Sequence, residues 1–213
     1  MSALAIKRET PQRLVDGHLL LARVLIVLSA GIAAFGLLAD SGAVVIGAML
    51  VAPLMTPITA AAAALVTARN RRLVTSFVVI AFGTALAIGV GWLVSTLVGT
   101  SVTGPDDLPN EVISRTFPGL LDLGVAITAG AAAGYIAPRR SATSALPGVG
   151  IAVALVPPLA TVGITAQLGL SEQAGNAMLL YLTNLAAIVF SASVMLLLAG
   201  FRPDSGGTRP VSY

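Results

Sequence analysis

The sequence has no cysteine, one histidine (His18), one lysine (Lys7) and one tryptophan (Trp92). Without cysteine, a disulfide framework, thiolate chemistry and a cysteine metal site are all excluded. His18 alone cannot build a multi-histidine metal centre. Charge is scarce as well. Only 10% of the residues are Asp, Glu, Lys or Arg, against about 25% in soluble domains. No serine–lysine pair, paired aspartates or His-Glu-x-x-His arrangement is present, so the sequence points away from an enzyme and implies no cofactor and no metal. A basic soluble region is missing too, so nucleic acid is not an expected partner.

What fills the chain is apolar. Hydrophobic residues make up 56% of the 213 positions, and the mean hydropathy is +0.95. This composition predicts an all-α membrane protein. Six apolar stretches can be read: 24–39, 43–67, 73–98, 119–136, 146–169 and 173–200. They give one membrane domain over 24–200. Residues 1–23 read as an interfacial helix on the cytoplasmic face, with Thr10–Pro11 as N-cap and first helical residue. Residues 201–213, rich in Gly, Pro and Ser, read as a disordered cytoplasmic tail.

Arginine and lysine sort by side. With the N-terminus inside, the inner segments carry Lys7, Arg8, Arg13, Arg23, Arg69, Arg71, Arg72, Arg139, Arg140, Arg202 and Arg209, and the outer loops carry Arg115 alone. The bias predicts a plasma (inner) membrane protein with both termini cytoplasmic. Asp106, Asp107 and Glu111 make the longest outer loop acidic.

Two of the stretches carry prolines at their centres. Residues 43–67 contain Pro53 and Pro57; residues 146–169 contain Pro157 and Pro158. A proline inside a helix removes a hydrogen bond and leaves a carbonyl unpaired, which in lipid must be met by protein or a wet cavity. Leu50–Thr56 (LVAPLMT) aligns with Leu155–Thr161 (LVPPLAT). Upstream, Leu28–Ala34 (LSAGIAA) aligns with Ile127–Ala133 (ITAGAAA). The order of matches predicts two three-helix repeats, 24–98 and 119–200, of opposite orientation, each with a proline-broken second helix. Broken helices at matching places of inverted repeats point to a midplane site in transporters.

The run Leu38–Met55 (LADSGAVVIGAMLVAPLM), together with Val156–Ala160 (VPPLA), resembles the bacterial membrane family catalogued as "domain of unknown function 389". The resemblance spans roughly Leu19 to Leu198. It implies an integral membrane protein and transfers no substrate or catalytic residue. Many members of that family carry an extra cytoplasmic domain, of which no counterpart is read in these residues.

The chemistry must therefore come from individual groups. Thr56 before Pro57 has the form of an N-cap, so a half-helix starting there would offer free N–H groups; Pro158 would start its counterpart. Such termini attract anions. The candidate pathway is Pro53, Thr56, Pro57, Pro157, Pro158 and Thr161 at the breaks, with Asp122 near the outer end of the fourth stretch. The bland alternatives are a packed proline kink, threonines bonded to their own preceding turn and an Asp122 that is hydrated or paired with Arg115. Thr59 and Thr165 share the threonine alternative, Asn184 reads as helix-to-helix glue more than as a ligand, and Gln167 fits either role. The leading expectation is a transporter or channel for a small ion or polar solute, with small anions or neutral solutes preferred. The alternative is a non-transporting scaffold, sensor core or assembly factor. The lipid bilayer and further copies of the chain, as a homo-oligomer, are the expected partners.

Overall fold

The structure, a computed structural model, describes residues 11–53, 55–99, 102, 104–138 and 145–200, with side chains from Leu20 onward except those of 145–150 and Val153. The expectations for residues 1–10 and 201–213, and for Arg139 and Arg140, lie outside the described residues. Every described element is helical: α1 (Pro11–Leu38), α2 (Gly42–Val51), α3 (Met55–Val66), α4 (Asn70–Val98), α5 (Asn110–Ile113), α6 (Leu120–Ile136), α7 (Ala145–Gln167) and α8 (Ser171–Leu198), with one 3-10 turn at Pro105–Asp107.

Leu20–Leu38, α4 and α8 are long and apolar enough to cross a membrane, and α2 with α3, bent by 60°, makes a fourth candidate. The α6 helix is a shorter apolar element of 17 residues. The outer surface is apolar as well: Phe35, Phe82, Phe190, Leu120 and Leu121 are all exposed. Water would not tolerate that surface, whereas lipid does. The fold is that of an all-helical membrane protein.

Small residues set the packing. Ala30, Ala33, Ala34 and Leu37 recur at helical spacing on α1 and are buried. Helix α6 lies on α8 with Gly130 against Ile188 and Gly134 against Ala192. Helix α4 lies on α7 as closely: a Cβ at Gly91 would sit 2.6 Å from the Ala160 carbonyl oxygen, and one at Gly163 2.6 Å from the Trp92 nitrogen. Close backbone approach through small residues is how membrane helices associate without a hydrophobic driving force between them. Arg23 lies over the Phe82 ring at 5.2 Å, tying α1 to α4.

Three connections meet at one end of the bundle. Leu37, Leu108, Val112, Leu168 and Leu170 belong to one apolar cluster there. The Asp40 carboxylate accepts the Glu111 N–H at 2.8 Å and the Asn110 Nδ2–H at 2.9 Å. These two donors hold the Asp40 carboxyl below its ordinary value. The α3–α4 turn, with Arg69, Arg71 and Arg72, lies at the far end of α4.

Turn geometry recurs. Ala68 (φ 51°) and Gly169 (φ 76°) are both left-handed. Arg69 N–H then donates back to Ala64 O at 3.0 Å, and Leu170 N–H to Thr165 O at 2.9 Å. Asp40 (φ 50°) repeats the pattern, with Ser41 N–H donating to Gly36 O at 2.9 Å. Each closes its helix with a six-to-one bond of the Schellman type.

Two expectations need correction. The chain does break at the first proline pair: Ala52 ends α2 in an extended conformation (φ −70°, ψ 121°), as the residue before a proline prefers. It does not break at the second. Helix α7 runs from Ala145 to Gln167 with Pro157 and Pro158 inside it, so a proline-broken fifth span is wrong. A neighbour meets one of the two freed carbonyls. Pro158 has no N–H for the Ala154 carbonyl, and Asn184 of α8 donates its Nδ2–H to that oxygen at 3.0 Å. A membrane helix tolerates proline where an adjacent helix meets the freed acceptor. The second correction is local. Helix α3 begins at Met55, so Thr56 is inside it rather than its N-cap, and Pro57 is its third residue.

Candidate functional site

Depth comes first. Ser41 and Gln167 are at the end where the three connections meet. At about 1.5 Å per residue, Ala52 and Pro158 lie about 17 Å and about 14 Å in from it, near half of a hydrocarbon core of about 30 Å. The two proline regions are also neighbours. Ala52 shares a void of about 10 Å³ with Val156 and Leu159, which flank the Pro157–Pro158 pair. That void is apolar apart from Ser29, whose hydroxyl donates to the Ala48 carbonyl at 2.8 Å. The two proline regions thus meet, and they meet dry.

The polar space is on the other side of α7. A cavity of about 170 Å³ is lined by Arg115, Asp122, Val125, Ala154, Pro158, Leu180 and Asn184. It draws on four regions: the loop before α6, the first turns of α6, the middle of α7 and the middle of α8. Asp122 is fixed by accepting the Gly119 N–H at 3.2 Å, which caps α6. Arg115 pairs with Glu111 at 3.5 Å and not with Asp122. Its Nε is buried with no protein partner. Asn184 is spent partly on Ala154 O and still faces the space.

Thr161 continues the same stripe of α7. Positions 154, 158, 161 and 165 share one helical face. Thr161 is wholly buried, and its hydroxyl has no protein hydrogen-bond partner. Thr165, next on the stripe, bonds the Thr161 carbonyl at 2.7 Å, which is the local pairing expected of a threonine in a span. Thr59 behaves likewise toward Met55 O at 2.8 Å.

Of the residues singled out in the sequence, Pro158 and Asp122 line one cavity and Thr161 shares the Pro158 face. Pro157 is in the helix beside them. Pro53 and Pro57 are half-buried and Thr56 is exposed, so Thr56 and Thr161 stand in unlike surroundings. Arg115 and Asn184 were not among the candidates. Both had a signal: Arg115 is the only basic residue that the charge-bias reading assigns to an outer loop, and Asn184 is an amide deep in an apolar helix. Gln167 accepts the Ser95 hydroxyl at 2.8 Å and joins α7 to α4, as glue.

The profile of the family described as "Domain of unknown function (DUF389)" matches residues 49–190. An uncharacterized protein of Methanocaldococcus jannaschii is 28% identical over 180 residues, covering 84% of this chain. The chain spans 54% of that relative's length. No solved structure matches. The matched segment runs from the end of α2 through both proline regions to Phe190 on α8, and the chain belongs to the DUF389 family.

Proposed function

We propose that this chain is a membrane transporter or channel for a small ion or polar solute, with the cavity beside Pro158 as its solute site. The observation that carries it is that cavity: charged and amide side chains converge on a proline in mid-helix, about half a membrane deep. In an otherwise apolar bundle, such groups are costly unless something polar uses them. A small anion or neutral polar solute suits Arg115, Asn184 and the Thr161 hydroxyl better than a bare cation does, with Asp122 at the mouth.

An inverted-repeat arrangement is part of the same proposal, and the packing supports it. Helix α1 packs on α4 as α6 packs on α8, and α4 packs on α7 as α8 packs on α3. The Ala68 and Gly169 turns match in geometry and are 101 residues apart, which is also the separation of Pro57 and Pro158. Counted back from the turns, Pro158 therefore corresponds to Pro57, four residues on from the Pro53 that the sequence match selects. Four residues are about one helical turn, and the difference falls where α2 gives way to α3. Six crossings in a plasma membrane, both termini cytoplasmic and copies associated as an oligomer complete the proposal.

One observation favours the second reading, a non-transporting scaffold. The contact between the two proline regions is dry and nearly closed. The absence of native cysteine allows a direct test. Leu180→Cys in membrane vesicles should react with a polar, membrane-impermeant thiol reagent from the outer side, and an excess of the transported solute should slow the reaction. A scaffold would leave this position unreactive from both sides.

A further inference from the structure

We propose that an apolar groove between α3, α4 and α8, together with the arginines of the α3–α4 turn, forms a site for one anionic phospholipid. The groove has a volume of about 540 Å³, and Val66, Phe77, Leu182, Phe190 and Leu197 are among its walls, with Ser193 its one polar residue. It shares no lining residue with the cavity beside Pro158. Along α8 it runs from Leu182 to Leu197, about 22 Å at 1.5 Å per residue.

The walls decide the occupant. Tight helix pairs in membranes use small residues, and these walls are mostly Leu, Val and Phe, which suits a flexible acyl chain.

The headgroup end is set by charge. Val66 and Leu197 lie where α3 and α8 end, beside the turn into α4. Arg71 and Arg72 are exposed in the first turn of α4, which has no acidic residue. The positive helix terminus and two guanidinium groups thus act in the same place. Acidic residues are the usual occupants of a first turn; this one carries none, and a lipid phosphate supplies the compensating charge.

Brominated lipid chains test this. The Phe190→Trp variant, made with Trp92→Phe, is reconstituted in phosphatidylcholine vesicles containing increasing fractions of dibrominated phosphatidylglycerol or dibrominated phosphatidylcholine. Brominated phosphatidylglycerol should half-quench the tryptophan at a several-fold lower mole fraction than the zwitterionic lipid. Arg71→Gln/Arg72→Gln should abolish that difference while leaving quenching by bulk lipid. Ala186→Phe, which fills the groove and keeps both arginines, should remove the preference too. Equal quenching by the two lipids in the parent protein would overturn the proposal, as would a preference that survives the arginine changes. Protection from both lipids, with disulfide cross-linking between copies through Phe190→Cys, would assign the groove to a second copy and also overturn it.

Discussion

Asn184 donates to the Ala154 carbonyl at 3.0 Å, the acceptor that Pro158 leaves without its usual partner four residues on. One side chain thereby meets the carbonyl that Pro158 frees and also holds a wall of the polar cavity. Nothing equivalent happens at Pro53, where Ala52 turns extended and α2 stops.

A double-mutant cycle measures this relationship. Asn184→Leu should destabilise the protein by about 1–2 kcal/mol, because it strands a buried carbonyl. Pro158→Ala restores an N–H for Ala154 O, so the same Asn184→Leu change in that background should cost much less. Equal costs in both backgrounds, measured by unfolding in mixed micelles, would mean that the amide serves something other than the freed carbonyl.

Thr161 has a buried hydroxyl without a protein partner. Thr161→Val keeps the shape and removes the polar atom. It should leave stability unchanged or raise it by about 1 kcal/mol. A loss of more than about 1 kcal/mol in thermal unfolding would show that the hydroxyl is a structural bond donor instead of a solute ligand.

Helix contact depends on particular glycines. Gly163→Ala places a methyl against the backbone of α4 at Trp92, and overpacking of this kind costs about 1–3 kcal/mol. Gly47→Ala meets nothing within 4 Å and should be neutral or slightly stabilising, since alanine favours the helix. Comparable midpoints for the two variants would refute the close α4–α7 contact.

The Asp40 carboxylate anchors the α5 loop to the α1–α2 turn. Its pKa is lowered in the folded protein, so its contribution is present above the unfolded value and is lost as pH falls through the folded one. Protection of the Glu111 amide from hydrogen exchange, corrected for intrinsic rates, should hold at neutral pH and fall only in the acid range below 3.8, the ordinary value for this group. In Asp40→Asn the protection should be low at every pH.

Much of the fold was legible because the apolar stretches are long and punctuated by turn residues. The helices α4, α6 and α8 fall on the expected stretches, whereas α1 runs unbroken from Pro11 to Leu38, across the boundary read at residues 23 and 24. The proline pairs were legible as disturbances but not as outcomes. Whether a proline breaks a helix depends on what lies four residues back, and Asn184 comes from a different helix 30 residues away. The site was half legible for the same reason. Pro158, Thr161 and Asp122 are chemically conspicuous alone, whereas Arg115 joins them only because the loop before α6 folds over the first turns of that helix.

The most direct measurement is solute flux into liposomes holding the purified protein, with small anions, small cations and neutral polar solutes tested separately. Flux above protein-free liposomes is expected for an anion or a neutral solute. Arg115→Gln should cut it by about tenfold, the loss of roughly 1.4 kcal/mol of interaction, while far-UV circular dichroism stays unchanged. Cation-selective flux indifferent to Arg115→Gln and Thr161→Val, or no flux for any solute, would contradict the assignment of the Pro158 cavity as a transport site.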